Sequence, residues 1–471
     1  MSVLCLATLV SLGCDPDPAT TSGAGSETTF DSTSAASSST GHVTGSGTAS
    51  DTGHDGPGDT TASEAGSGTA DRTTTSDDSG SGASSSTTEA GGSSGPGGPG
   101  LCPDLAWQLD IPQIAAAEAV QVDATGTIYA LGTHTVLGQT DAWVGAYDPM
   151  GHLHWGLSLD PGLFGMLDGD ELGIDMGLHS SGDLLVLVQH PAAPHDVGVL
   201  RLDTNAQTVL WWSTLDAPAV DPMAPTLAPG KIAVSDADAI IVSGVSWGAP
   251  VIFADQWVAR FAELDGAMQW VTGVSITDMQ GVGPEALAVH DTEGIFSIAH
   301  YFLGGVASTT SSMARLSLDG VWSGNFTHPF AGPVAYVGRA VAFDQSDNLA
   351  VAYTEHSWQP DQGIQVERQE PNFNILSAGT SAVVDVWENP SDVVVDALDL
   401  AVVVGSQGPL GIQQGWIRVH DPAGMLVWDD TEAVLPDTDF RAVDVAPDGA
   451  YVVAGRNGSV GWLRRYGPCT P

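Results

Sequence analysis

Basic residues are scarce in this chain of 471 residues, which carries 12 Lys and Arg against 57 Asp and Glu and has a formal charge of −45. Proteins that bind nucleic acids need a basic surface that displaces counterions from phosphate, so this class is excluded. An anionic membrane surface would repel the chain for the same reason. Long apolar runs are also missing, since none reaches the roughly 18–20 residues of a membrane-spanning helix. The 14 Trp and the 42% of hydrophobic residues nevertheless require a folded core.

The first segment, residues 1–13, has the composition of a secretory signal. An apolar stretch ends in small residues directly before Cys14. The ending SLGC resembles the lipobox of bacterial lipoproteins, which implies that Cys14 is lipidated. We therefore expect an extracytoplasmic lipoprotein of the bacterial outer membrane or cell surface, which touches the membrane only through its lipid anchor.

The second segment, residues 14–100, is predicted to be a disordered linker. Ser, Thr and Gly fill 54 of the 86 positions after Cys14, and the only larger apolar side chains are Phe30 and Val43. Such a segment cannot bury enough surface to offset the entropy of ordering its backbone. As a flexible coil it would reach about 50 Å, which suits a tether between an anchor and a domain.

Residues 101–471 contain an internal repeat of strand, tight turn and strand. The last residue of the first strand recurs at spacings of 56, 56, 55, 54, 52 and 50. These marker residues are Val122, Leu178, Val234, Val289, Phe343, Val395 and Val445. A second strand–turn–strand half follows in most units, so each period holds four short antiparallel strands, which predicts a β-propeller blade.

The ends of this region predict a closed ring. The seventh unit lacks its fourth strand, whereas an unpaired strand around Trp107 opens the region and matches the fourth strand around Trp155. We therefore predict an all-β, seven-bladed propeller whose N-terminal strand completes the last blade. Cys102 and Cys469 flank the two joined strands, and an oxidising compartment would allow them to form a disulfide.

The repeat resembles the SBBP-type bacterial β-propeller repeat. The segment Asp141-Ala142-Trp143-Val144, followed by a turn and an aromatic strand, is the closest match to its motif. The resemblance extends over residues 101–469 and implies an exported propeller. It implies no shared catalytic site.

One face of the ring is the predicted ligand face. Loops after the second and fourth strands of each blade open on this face, where many are long and acidic. Histidines occupy equivalent positions at the ends of four second strands, and two arginines enter inner strands. The candidate residues are His134, His190, His300, His356, Arg339 and Arg441.

Most acidic residues are explained by turns, because Asp and Asn side chains accept hydrogen bonds from their own turn backbone. A calcium site needs six to eight converging oxygens. The best local cluster for such a site is Asp168, Asp170, Glu171 and Asp175, which share one loop. Seven arginines recur on third strands, where we expect them to pair with acids of the neighbouring blade.

The pattern favours a non-catalytic binding or scaffolding module that acts as a monomer on an unknown surface ligand or protein, with no required cofactor. The alternative is a propeller enzyme of the hydrolase, lyase or quinoprotein type with its site at the channel mouth. An enzyme should show converging titratable groups with shifted pKa values there, whereas a binding module should show a broad groove. The acidity also permits a carrier of divalent cations such as calcium.

Overall fold

Seven four-stranded antiparallel sheets form a ring, which confirms the predicted β-propeller. The computed structural model describes residues 105–136, 138–159, 170–190, 197–215, 226–247, 254–274, 279–303, 309–327, 334–357, 363–381, 386–408, 412–432 and 437–469. No helix occurs among these residues, so none there is long and apolar enough to cross a membrane. Cys14, Cys102, Asp168 and the predicted signal and linker lie outside the described residues.

The first four blades follow one another along the chain. Blade 1 contains β2 (Ala117–Val122), β3 (Ile128–Val136), β4 (Gln139–Tyr147) and β5 (Leu153–Ser158). Blade 2 contains β6 (Leu172–Leu178), β7 (Leu184–Gln189), β8 (Val197–Asp203) and β9 (Thr208–Leu215). Blade 3 contains β10 (Thr226–Val234), β11 (Ile240–Trp247), β12 (Ala254–Phe261) and β13 (Met268–Val274). Blade 4 contains β14 (Met279–His290), β15 (Gly294–Leu303), β16 (Thr309–Leu316) and β17 (Trp322–Thr327).

The remaining blades include the closure of the ring. Blade 5 contains β18 (Val334–Phe343), β19 (Leu349–Ser357), β20 (Ile364–Gln369) and β21 (Ile375–Ser381). Blade 6 contains β22 (Glu388–Val395), β23 (Ala401–Gln407), β24 (Gln414–His420) and β25 (Leu426–Thr431). Blade 7 contains β26 (Thr438–Val445), β27 (Ala450–Asn457), β28 (Val460–Pro468) and the N-terminal strand β1 (Leu105–Ile111).

The N-terminal strand completes the last blade, as the sequence predicted. β1 pairs antiparallel with β28, with Leu109 opposite Leu463. Trp107 of β1 donates from its ring nitrogen to the Pro149 carbonyl of blade 1 at 3.0 Å. Trp211 makes the equivalent bond from blade 2 to blade 3. The junction between the last and first blades therefore uses the same contact as a junction inside the chain.

The core lies between the blades. Seven apolar clusters occur among the described residues, and each joins two neighbouring sheets. Glycine in a second strand makes room for a third-strand indole: a Cβ on Gly244 would lie 2.2 Å from Trp257, which is fully buried. Tight packing of this kind cannot absorb an added methyl group without a shift of the indole or the backbone.

The third-strand arginines meet one expectation only in part. Their ion pairs are made mainly with acids of their own blade, such as Arg201 with Asp183 at 2.7 Å and Arg315 with Glu293 at 3.0 Å. Arg201 also reaches the next blade, where it donates to the Glu263 carbonyl at 3.0 Å and lies 3.7 Å from the Glu263 carboxylate. Arg464 of blade 7 agrees with the expectation, because it pairs with Glu432 and Asp430 of blade 6. The turn acids stand closer to the guanidinium because each turn joins the first two strands of the same sheet.

Candidate functional site in the channel

The central channel is lined by the seven inner strands, and each of these strands carries a β-bulge. A bulge leaves one residue out of register and re-aims its side chain. The residues passed over at these bulges include Glu118, Ile174, Gly230, Glu285, Arg339, Ser391 and Arg441. Four of them are charged, so the bulges set ionisable groups at equivalent positions around the channel.

The channel encloses a cavity of about 250 Å³. Its charged lining residues are Asp175, Lys231, Glu285, Arg339, Asp392 and Asp444. A second recess of about 440 Å³ shares Lys231, Glu285, Arg339 and Ser391 with it. Both signs of charge therefore converge at the channel mouth, where the two cavities share residues.

Glu285 is the centre of a three-residue cluster at this mouth. Its Oε1 lies 2.8 Å from the Arg339 guanidinium and also contacts Nδ1 of His300. Burial disfavours ionisation of Glu285, but the hydrogen bond from His300 and the charge of Arg339 lower its pKa overall. Glu285 is thus an ionised carboxylate that joins a histidine of blade 4 to an arginine of blade 5.

Lys231 supplies a further cation inside the channel. Its ammonium lies 3.9 Å from Asp175. Burial opposes its charge, yet attraction by Asp175, Asp392 and nearby glutamates raises its pKa. Burial also raises the pKa of Asp392 to about 6 and that of Asp444 to about 7. Near neutral pH the channel therefore holds a fixed cation next to carboxyls that gain and lose protons.

The channel aspartates also connect neighbouring blades. Asp175 accepts a hydrogen bond from the Ile232 backbone at 2.9 Å. Asp392 accepts one from the Val443 backbone at 3.0 Å. Because each aspartate bonds the inner strand of the next blade, these residues stabilise the ring as well as charging its interior.

The structure brings two of the predicted ligand-face residues together, His300 and Arg339, through Glu285. Arg441 instead pairs with Glu118 across the last junction and with Asp439 at 3.1 Å. The side chain of His356 lies outside the described residues.

The other two predicted histidines have separate partners. Nε2 of His134 lies 3.9 Å from Asp141 and 3.5 Å from the Ser158 hydroxyl. Nδ1 of His190 lies 3.0 Å from Glu171, whose side chain is fully buried. Each histidine is thus anchored by an acid near its own blade.

The predicted calcium loop does not bring its described acids to one point. Asp170 accepts a hydrogen bond from the Thr140 backbone at 2.8 Å. Glu171 contacts His190, and Asp175 turns into the channel towards Lys231. Asp168 lies outside the described residues, so the contacts of the remaining three run to different parts of the fold.

Sequence reasoning missed Lys231, Glu285 and Asp392 as channel residues, because a bulge cannot be located from alternation alone. One signal was present: Lys231 is the only lysine of the chain. Sequence reasoning also missed His179, Asp238 and Glu263, which approach one another on the opposite face of the ring.

No protein-family model matches the sequence, and no curated protein matches it significantly. Among solved structures, the periplasmic gluconolactonase of Pseudomonas aeruginosa is 13% identical, with a TM-score of 0.45 over 74% of this chain and 88% of that one. A polysaccharide lyase is 8% identical, with a TM-score of 0.45 over 75% and 90%. A quinohemoprotein alcohol dehydrogenase of Pseudomonas putida is 9% identical, with a TM-score of 0.43 over 77% and 76%. At these identities and TM-scores the similarities give no information about the activity of this chain.

Proposed function

We propose that this propeller is an acid–base enzyme of the hydrolase or lyase class, with its site at the channel mouth. The observation that carries the proposal is the bridge made by Glu285 between His300 and Arg339, beside Lys231. This is the alternative that the sequence left open, in preference to a non-catalytic binding module.

Histidine is the proposed general base. An ionised Glu285 beside Nδ1 of His300 favours the tautomer in which Nδ1 carries the proton. Nε2 then carries the lone pair that removes a proton from water or from a carbon acid. The carboxylate also stabilises the imidazolium that forms after proton transfer.

Arg339 and Lys231 are the proposed anion-binding groups. Both line the shared part of the two cavities, and the neighbouring carboxylates raise the pKa of Lys231. Cations in a site shielded from bulk water stabilise an oxyanion that develops during reaction. The same charges would hold a carboxylate of the substrate, so we propose a substrate that bears a carboxylate or an ester carbonyl.

The confinement of the channel and the raised pKa values of its carboxyls favour an enzyme over a scaffold. A binding module should present a broad groove without perturbed ionisation, whereas this channel is confined and contains carboxyls with pKa values raised to about 6 and 7. Groups that titrate close to the working pH are the most effective proton donors and acceptors.

The test is turnover by the purified chain of three substrate sets: simple esters, lactones and uronate-containing polysaccharides. His300→Gln should lower kcat by about 10²- to 10⁴-fold, the usual range for a lost general base. Arg339→Gln should mainly raise KM for anionic substrates. His154→Gln, on the exposed outer strand of blade 1, is the matched control and should leave both constants unchanged.

Two outcomes would contradict the proposal. Absence of turnover in all three sets would return the protein to the class of binding modules. Equal rates for wild type and His300→Gln would remove the histidine from the mechanism even if activity were found.

We further propose that the chain is an SBBP-type propeller anchored by lipid at Cys14 to the outer membrane or cell surface, where it acts as a monomer. Support comes from the SLGC ending, the long polar linker and the repeat motif at Asp141-Ala142-Trp143-Val144. Labelling with a radioactive fatty acid should mark the wild type and not Cys14→Ser. Equal labelling of both would refute the anchor.

A disulfide between Cys102 and Cys469 is proposed to fasten the ring. Cys469 follows β28 directly and is buried against the cluster that includes Leu105. Cys102 precedes β1 by only three positions, and β1 pairs with β28. Mass spectrometry without reductant should find the two peptides linked, and free thiols at both positions would refute the pairing.

A further inference from the structure

An exposed tryptophan, Trp387, stands directly before β22, beside the outer recess of the channel. It is 56% exposed. The recess of about 440 Å³ is lined by Asn389, Pro390 and Ser391 of β22, whereas the inner cavity is lined from Ser391 to Val394. The recess therefore opens towards the start of β22, and Trp387 lies two residues beyond its lining.

The alternation of β22 sets Trp387 on the recess side of the strand. Successive side chains of a strand point to opposite faces, so Trp387 and Asn389 share a face and Glu388 points away from it. Glu388 is fully buried and pairs with Arg418 of its own blade. The Trp387 carbonyl accepts a hydrogen bond from the Gly408 N–H at 2.9 Å, which holds this residue to the end of β23. Two residues of strand amount to about 7 Å, so neighbouring units of one ligand could reach both the recess and the indole.

Most exposed large apolar residues follow the repeat and avoid the channel mouth. They lie on outer strands, as Trp322 does, or in turns of the opposite face, as Leu264 does. Among the described residues, Trp387 and Ile412 are the two that lie in connections on the mouth side, before β22 and between β23 and β24. Scattered apolar residues need no explanation, but an exposed indole at the rim of a cavity marks a binding surface.

The repeat supplies an internal comparison for this position. Trp387 lies four positions before Ser391, the residue passed over at the bulge of β22. Four positions before the corresponding bulge residue, the other blades carry Ile114, Asp170, Thr226, Gly281, Ala335 and Asp437. None of these is aromatic, so the blade fold does not require an indole here.

The outer recess suits an anionic sugar. Its charged residues are Lys231, Arg339 and Glu285, so cations outnumber carboxylates there although the chain carries a charge of −45. Asn389 and Ser391 also line it, and an amide and a hydroxyl are groups that hydrogen-bond sugar hydroxyls. An exposed indole offers a flat apolar face on which the C–H face of a pyranose ring stacks.

We propose that Trp387 forms a sugar-stacking subsite beside the recess, and that the ligand of the channel mouth is an oligosaccharide with uronate units. One unit would place its carboxylate near Lys231 and Arg339, and the neighbouring unit would stack on the indole. This inference rests on the proposed function, because it uses the same two cations, and it selects the uronate-containing polysaccharides among the three substrate sets. Trp387 binds the ligand and takes no part in proton transfer.

The experiment titrates the purified full chain calorimetrically with tetrasaccharides of galacturonate, mannuronate and glucuronate. Wild type and His300→Gln are both used, so that turnover of a probe does not obscure its binding. At least one tetrasaccharide should bind, and Trp387→Ala should weaken its binding about tenfold, while binding of the corresponding monosaccharide should change less than about twofold. Trp387→Phe should keep most of the affinity, because phenylalanine retains an aromatic face. Trp322→Ala is the matched control, since Trp322 is 52% exposed on β17, and should bind as the wild type does.

Further measurements separate stacking, charge and catalysis. Trp387→Ala and Trp322→Ala should melt like the wild type, because both indoles are exposed. A tetrasaccharide with methyl-esterified carboxyls should bind more weakly than the free acid.

The proposal is overturned if none of the three tetrasaccharides binds, if Trp387→Ala binds as tightly as the wild type, if Trp322→Ala weakens binding to the same degree, or if the methyl ester binds equally well. Binding of a uronate without any turnover would contradict the proposed function alone. Turnover of esters or lactones without uronate binding would contradict this inference alone.

Discussion

Deprotonation of Asp444 is expected to make the propeller less stable as the pH rises. Burial raises the pKa of this carboxyl from 3.8 to about 7, although the backbone groups of Val122 and Val445 donate to its oxygens. Between these two pKa values the folded protein holds a proton that the unfolded chain has lost. The free energy of unfolding therefore decreases with pH across this window and is constant above it.

The two pKa values set the size of the effect. Linkage gives a loss of about 2.5 kcal/mol between about pH 5 and pH 8 from this carboxyl alone. His420 acts in the opposite direction, because burial lowers its pKa from 6.5 to about 4 and the unfolded chain then binds the extra proton. A pH curve of the wild type therefore mixes opposing contributions, and a variant is needed to isolate Asp444.

Asp444→Asn provides that comparison, because asparagine keeps the shape and one acceptor oxygen and has no charge to lose. Urea unfolding is followed by Trp fluorescence at intervals between about pH 5 and 8 for both proteins. The stability of the variant should fall by about 2.5 kcal/mol less than that of the wild type over this range. Parallel curves for the two proteins would refute the assignment of a raised pKa to Asp444.

Three further substitutions test the packing of the blades and a buried ion pair. Gly244→Ala should destabilise the fold by about 1–3 kcal/mol, because the added Cβ would strike Trp257. Gly273→Ala is the control and should change the urea midpoint little, because nothing lies within 4 Å of its added carbon. Equal effects of the two substitutions would contradict the packing argument. Glu388→Gln should cost about 3–5 kcal/mol because it leaves Arg418 buried and uncompensated. A change in unfolding free energy below about 1 kcal/mol would show that this ion pair is not important for stability.

Much of the fold could be predicted because a turn after a strand leaves a local signal. Strands β2, β6, β10, β18, β22 and β26 end at the marker residues read from the repeat, and β14 ends one residue after its marker. At the fourth position of these turns, Gly126 and Asp347 both adopt positive φ, of 86° and 62°. Gly and Asp are the residues that tolerate this conformation, so the sequence identifies the turn directly.

The site was harder to predict because it depends on register and on neighbouring blades. Glu285 reaches both His300 and Arg339 from a bulge, and strict alternation along β14 does not reveal such a bulge. His179 approaches Asp238 and Glu263, which lie 59 and 84 positions later in the sequence. These residues meet only because blade 2 packs on blade 3, and a contact between blades leaves no pattern in the local sequence.

The bond from Trp107 to Pro149 belongs to a contact that recurs around the ring. The same bond recurs from Trp211 to Glu263 and from Trp270 to Leu318, so the seam that carries the termini matches junctions crossed by continuous chain. A circularly permuted chain, cut at another outer strand and joined at the present ends, could enclose the same channel. By these contacts the ring itself has no preferred starting point.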